Sequence, residues 1–320
     1  MQVVKLKDIE LIDSTISESA YDEYDSTHSY SVDDMVYVSF EDDGTTERMP
    51  HEIYKSLTDT NQGNYPPDFP AKWSLRGATN RWKMFDGFVN TQTENSTSFT
   101  VVIDTSKCNA LGLFNIVAKT VTLSTFIDAI QDEDGNLLVD EDGNFYGEVI
   151  KTEIVDLDDS PVFDYYDYFF APFYYKDTLY WEVPYRANSL TMITFEPYLD
   201  EAKCGICAVG YAQRIGATIY GVQPGITDYS KKDTDDLGRT YLSQGLYAKN
   251  IDLTFNMLNS YIDLAYRTLA DVRGTPAIFN ANGDGTSFDS LLVYGFYENF
   301  DIIIPGPTVS RCSLEVKGLT

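Results

Sequence analysis

The stretch at residues 73–93, WSLRGATNRWKMFDGFVNTQT, is where the chain changes character. It holds Trp73, Trp82, Arg76, Arg81, an Asp86-Gly87 turn signal and a run of hydroxyl and amide residues. Before it lies an acidic, tyrosine-rich head. After it come runs in which apolar and polar residues alternate at the two-residue period of a half-buried strand. The stretch therefore reads as the first strand and rim loop of a β-sandwich, where a ligand or a neighbouring subunit would be met. Trp73 and Trp82 offer ring faces, and Asn80, Arg81 and Asp86 offer planar polar groups. With Tyr54 they form a candidate set of glycan contacts, because rings supply an apolar face and fixed hydrogen-bonding groups supply specificity. Trp82 and Phe85 are equally suited to anchoring the core of that first strand.

Composition narrows the function. The 320 residues suffice for two or three domains with ample cores. Fifty acidic against 23 basic residues give a formal charge of −27, which repels phosphate backbones and anionic membranes. No nucleic-acid partner is expected, and no apolar run reaches the ~18 residues of a membrane span, so no membrane insertion is expected either. The first 24 residues lack the apolar segment of a signal peptide, which points to synthesis in a cytoplasm. Cys108, Cys204, Cys207 and Cys312 are too few for a disulfide scaffold. Cys204-Gly-Ile-Cys207 has the spacing of a redox or zinc pair but lacks a second pair. Inside AKCGICAVGYA (202–212) it reads as small apolar residues on a buried strand. His28 and His51 lie far from any nucleophile motif, and no glycine-rich phosphate loop occurs. No catalytic residue, metal or cofactor is expected.

In order along the chain, residues 1–29 read as an arm with one short strand. Residues 30–73 read as a small β unit: a strand at 36–38, a turn at Asp42-Asp43-Gly44, a strand at 52–57 and a proline-rich loop at 61–70 ending on Trp73. Residues 74–226 hold strands at 99–103, 110–116, 119–126, 178–185, 189–196 and 203–221. The repeat Asp132-Glu133-Asp134-Gly135-Asn136, recurring from Asp140 to Asn144, reads as paired hairpin turns. Its alternative, a calcium loop, lacks the spacing and distal glutamate of an EF-hand. The aromatic run FDYYDYFFAPFYY (163–175) suits a core strand pair, a subunit contact or a sugar platform. A composition break at 228–239 places a last unit at 227–320. There, Asn259 or Ser260 caps a helix running to Arg273, with Tyr261, Ile262, Ala265, Leu269 and Val272 as its core stripe and Gly274 at its end. Strands follow at 276–279, 291–296, 300–304 and 310–317, with a loop at 282–285. The last strand turns Cys312, Leu314 and Val316 to one face and Arg311, Ser313 and Glu315 to the other.

Four resemblances follow from these residues. Tyr30, Asp33, Asp34, Val36, Tyr54, Asn61, Gly63, Pro66, Pro67 and Trp73 follow the order of a small chitin-binding type of carbohydrate module, with Asp33 where that module has glycine. Residues 109–113, the Trp181 strand, the strand at 190–195 and the closing Cys-Gly-x-Cys-Ala-x-Gly strand resemble a discoidin or galactose-binding-like jelly roll. The stretches GATNRWKMFDG (77–87), LGLFNI (111–116), YAQRIGATIYGVQPGITDYS (211–230) and LLVYGFYENFDIIIPGPTVSRCSLEVKGL (291–319) are similar to tailed-bacteriophage tail-tip or baseplate proteins of the carbohydrate-binding-like type. The C-terminal strand, helix, Arg273-Gly274-Thr275-Pro276 and hairpin are similar to the tail-tube-like fold of distal tail proteins, whose copies form rings.

Together these imply a mainly β protein: an antiparallel sandwich with a small N-terminal β module and a C-terminal β-barrel or sandwich carrying one helix. The resemblance implies a virion component at the tail tip, assembled with other tail or baseplate proteins. It also implies a homo-oligomeric ring, trimer or hexamer, with host-surface glycans as a further partner. The alternatives are a polysaccharide-degrading virion enzyme and a free-standing lectin-like protein. With fifty acidic residues, some carboxylate pair ~5 to 10 Å apart is always available, so its presence would not favour the enzyme.

Overall fold

A computed structural model describes residues 1–18, 21–130, 137–138, 146–160, 163–170, 174–236, 238–282 and 288–319. The Asp-Gly-Asn repeat at 132–144 and the loop after Asn282 fall almost wholly outside the described residues. Elsewhere the chain is mainly β and almost entirely antiparallel, with one helix packed in the core, as the sequence pattern predicts.

A large sheet runs through the molecule. Its order is Thr178–Glu182, Ala110–Val117, Ala202–Arg214, Gln2–Leu6, Ala277–Asn280, Leu292–Ile303, Val309–Gly318, Tyr247–Leu258 and Ala217–Thr218. A five-stranded sheet, Glu148–Asp156, Thr120–Ile127, Leu190–Glu196, Phe99–Asp104 and Leu11–Ser14, packs on one end of it. Between them lies the sandwich core: Phe99, Val101 and Ile103 from one sheet meet Leu111, Leu113, Cys204 and Val209 from the other. Phe99 and Phe195 stack at 4.6 Å between centroids. At the far end, the helix Ile262–Asp271 lays Ala265 and Leu269, followed by Val272, on Phe255, Phe279, Cys312 and Leu314. Each large side chain so buried contributes ~1.5–3 kcal/mol by leaving water.

The N-terminal strand ties these two ends together. Gln2–Leu6 pairs with Ala202–Arg214 on one side and Ala277–Asn280 on the other. Val3 faces the helix core and Val4 faces the opposite core, so both are fully buried. That explains an uninterrupted Val-Val where a half-buried strand would alternate. The arm expected at residues 1–29 is thus corrected in part: Gln2–Leu6 is a central strand, Leu11–Ser14 extends the five-stranded sheet, and Asp22–Glu23 joins the small sheet.

Two other expected divisions also move. Trp73–Ala78 pairs with Glu47–Ser56, so the small module's sheet continues past Trp73 to Ala78. Ala217–Thr218 and Gln223–Asp228 both pair with Tyr247–Leu258, so pairing with the C-terminal strands begins before residue 227. Within the small module, Asp33 takes a φ of 75°. This is the left-handed conformation that glycine adopts without steric cost. The helix ends as expected, with Gly274 at a φ of 66°. Its start differs. Asn259 and Ser260 open a 3-10 turn without a side-chain cap, because the Asn259 amide donates to the Gly306 carbonyl and its oxygen accepts from Ser310.

Candidate ligand-binding groove

The residues singled out by sequence divide into two places, and in both they serve the fold. Tyr54 and Trp73 lie in the core of the small module with Tyr30, Val36, Val38 and Tyr65. Trp73 is 2% exposed, edge-on to Tyr30 at 5.2 Å, and its indole N–H donates to the Asn64 carbonyl at 2.8 Å. The Tyr54 hydroxyl donates to Glu52 at 2.6 Å, and burial, with that carboxylate, raises its pKa.

Trp82 is 3% exposed, lying between His51 at 4.8 Å and Phe85 at 5.9 Å. Arg81 reaches Glu18 at 3.8 Å, and the same carboxylate accepts 2.8 Å hydrogen bonds from His51 and Thr79. Asn80 is spent on backbone, donating to the Glu94 carbonyl and accepting the Glu94 N–H. Asp86 accepts from the Phe88 N–H and the Thr91 hydroxyl, while burial raises its pKa. All three rings, Tyr54, Trp73 and Trp82, are buried, so the expectation that Trp73 and Trp82 present stacking faces is corrected.

The stretch 73–93 is a junction. Trp73–Ala78 belongs to the small sheet, and twenty residues on Thr93–Asn95 pairs with Ala202–Arg214 of the large one. Between them, the Val89 carbonyl accepts from Asn115 at 2.6 Å. It lies so near the sheet that a Cβ on Gly205 would be 2.5 Å from it, so glycine is required there.

The cysteine pair is structural as well. Cys204 and Cys207 both point into the sandwich core, and burial pushes both thiols up, away from the thiolate that redox or zinc chemistry needs. Among the described residues, no group of three or more His, Cys, Asp or Glu is arranged to hold a metal ion.

A different feature emerges from the shape of the large sheet. Strands Ala110–Val117 and Ala277–Asn280 have two strands between them, so a flat sheet would hold them ~14 Å apart. Yet a Cβ on Gly112 would meet Ile278 at 2.6 Å. One strand further on, Tyr294 still reaches Phe114, with ring centroids 5.6 Å apart. The sheet is therefore curled into a half-barrel whose concave face carries Val4, Phe114, Ile206, Ile278, Leu292 and Tyr294. Only a residue without a side chain at 112 lets the two walls approach this closely.

Cavities open along this curl. One of about 260 Å3 lies between Asn115, Asp177, Tyr247 and Tyr294. A second, of about 400 Å3, shares Thr178 and Leu292 with the first and extends to Gln2, Tyr180, Thr218 and Asn280. A third, of about 500 Å3, sits beyond Leu6, under Trp82, Phe85 and Gly87.

No family model, curated protein or solved structure matches this chain.

The groove's chemistry thus rests on its own residues. In the second cavity the hydroxyls of Thr178, Tyr180 and Thr218 are buried without a protein hydrogen-bond partner. Each such group costs ~1–3 kcal/mol, and native proteins bury few of them. Burial, with Glu182 nearby, pushes the Tyr180 hydroxyl up to about 12, so it remains a donor across the physiological range. Burial also raises Asp289, against the pull of Lys176. Sequence reading passed over all four. Thr178 and Tyr180 occupy the alternate positions of TLYWE opposite Trp181, where a half-buried strand would face solvent.

Proposed function

We propose that this chain is a structural assembly protein, of the phage tail-tip or baseplate kind its sequence resembles, working as one part of a larger particle. The observation that supports this reading is the aromatic segment around the short helix Tyr165–Phe170. Phe163 is 87% exposed and Tyr165 85%, and Tyr166, Phe169, Phe170 and Tyr174 are exposed as well. A core strand pair, one of the three readings of this run, is corrected for Tyr165–Phe170, which form a short helix with Tyr165, Tyr166, Phe169 and Phe170 exposed.

The turn is held in place locally. Asp164 accepts the N–H groups of Tyr166 and Asp167, as an N-cap does, and Asp167 accepts the N–H of Phe163 just before it. Tyr166 packs on Phe170 at 4.9 Å and Tyr165 on Phe169 at 6.0 Å. A pre-ordered cluster of exposed rings loses little entropy on docking, and exposed aromatic patches mark protein interfaces. Asp158, Asp159, Asp164 and Asp167 lie in or just before it in the sequence, which suits a partner with a basic rim. The homo-oligomeric ring and the virion location belong to this same proposal.

Light scattering and electron microscopy of the purified chain, alone and with co-produced tail proteins, test it. The expected result is a ring or a co-assembly that Tyr165→Ser, Tyr166→Ser and Phe170→Ser together disrupt. A wild-type chain that stays monomeric and joins no particle contradicts it. Reducing-end release from host polysaccharide would replace it with the enzymatic reading.

A further inference from the structure

We infer that Glu18 is a clasp that sets the small module on the body, and that acid opens it, freeing the module to swing as an intact unit. The inference does not depend on the assembly reading. It rests on how the module is attached. The module has its own four-stranded sheet and its own core of Tyr30, Val36, Val38, Tyr54, Tyr65 and Trp73. The chain crosses between module and body twice. It enters after Ile16, which is buried in the sandwich core, and leaves through residues 79–82 toward Met84 in that same core.

One carboxylate joins the two crossings. Glu18, on the way in, accepts 2.8 Å hydrogen bonds from Thr79, on the way out, and from His51 on the module strand Glu47–Ser56. Its second oxygen lies 3.8 Å from Arg81. A single side chain thus ties both crossings to the module's sheet. Beside Trp82 the two parts are not sealed together, because a cavity of about 500 Å3 is lined by Met49 and Pro50 of the module with Lys7, Asp271 and Thr275 of the body. Units joined without a large apolar interface move relative to one another unless something holds them.

The clasp works through the charged carboxylate. Protonation removes the charge facing His51 and Arg81 and turns one acceptor into a donor. The other groups that face this knot are Glu47, 3.4 Å from the second ring nitrogen of His51, and Tyr37 on Met35–Phe40, whose pKa Glu18 helps to raise. Burial works to raise the Glu18 pKa, but the hydrogen bonds from His51 and Thr79, with the charges of His51 and Arg81, hold it below 4.5. The clasp is therefore closed at neutral pH and is lost as pH falls through that lowered value.

The three tryptophans report the parts separately. Trp73 sits in the module core, Trp82 lies 4.8 Å from His51 at the crossing, and Trp181 belongs to the sandwich core. Their indole N–H signals are followed by NMR in the full chain from neutral pH into acid, with Trp82→Phe to assign the crossing, while small-angle X-ray scattering records the shape. Glu18→Gln, which keeps the size and removes the charge, is measured at neutral pH. The expected result is a shifted Trp82 signal and a larger radius of gyration, with the Trp73 and Trp181 signals in place, in acidified wild type and in Glu18→Gln without acid. Loss of the Trp73 signal together with that of Trp82 overturns the inference, by showing a module that melts rather than swings. A Trp82 signal that stays put in wild type until the whole chain unfolds also overturns it, as does a Glu18→Gln chain identical to wild type in both measurements.

Discussion

The small four-stranded module and the half-barrel groove both bury polar side chains, with opposite results. In the module, Trp73 donates to Asn64, Tyr54 to Glu52, and Glu18 gathers His51, Thr79 and Arg81. In the groove, Thr178, Tyr180 and Thr218 find no protein partner. The first arrangement holds the fold. The second leaves three hydroxyls closed off and unpaired in residues beside a cavity. Residue type alone does not separate the two, because aromatic and amide residues look equally fit for recognition in either setting. The state of their hydrogen bonds does.

Substitutions sharpen this contrast, and the largest effect belongs to the module. Trp73→Ala removes a ring packed against Tyr24 and Tyr30, and urea denaturation should show a loss of ~3–5 kcal/mol. A change near zero would mean that the ring is a free face after all. Glu18→Ala should cost ~1–3 kcal/mol by stranding the His51 and Thr79 donors.

The Glu18 deficit should depend on pH with a defined sign. Burial tends to raise the Glu18 pKa, but hydrogen bonds from His51 and Thr79, with the charges of His51 and Arg81, hold it below 4.5. A carboxyl held low in the folded state stabilises above its ordinary value, and that contribution is lost as pH falls through the folded pKa. The gap between wild type and Glu18→Ala should therefore narrow under acid. Asp289 lies on the other side of the comparison. Its pKa is raised, mainly by burial, so its effect on stability becomes less favourable as pH rises above 3.8. Asp289→Asn should accordingly gain on wild type between acid and neutral pH, as paired melting curves would record.

The two smallest effects concern the exposed aromatic helix and one unpaired buried hydroxyl. Serine at 165, 166 and 170 should leave stability within ~0.5 kcal/mol per site, because the rings are exposed, while abolishing assembly. Tyr180→Phe should leave stability unchanged or slightly raised.

Much of the fold was legible because local pattern and burial agree. The strand Val309–Gly318 buries Ser310, Cys312, Leu314 and Val316 and exposes Arg311 and Ser313, the alternation written in its sequence. The helix stripe Ala265, Leu269 and Val272 was equally plain, with Ile262 partly buried against it, but Tyr261, expected on the same stripe, is exposed. What stayed hidden depends on distant parts of the chain. Asn259 looks like a cap until Gly306 and Ser310 arrive to occupy it. The arm looks solvated until strands two hundred residues away flank it. Thr178 and Tyr180 look solvent-facing until the sheet curls over them, and that curl turns on Gly112 meeting Ile278. The candidate site was read from aromatic composition, which marks cores as readily as ligand faces.

The most direct test compares the assembly state of wild type with that of the variant carrying serine at 165, 166 and 170, by light scattering of the purified chains, alone and with co-produced tail proteins. The account predicts an assembly for wild type that the variant loses while keeping its thermal midpoint, because the substituted rings are exposed. A wild-type chain that stays monomeric and joins no particle, or a variant that assembles as wild type does, would contradict it.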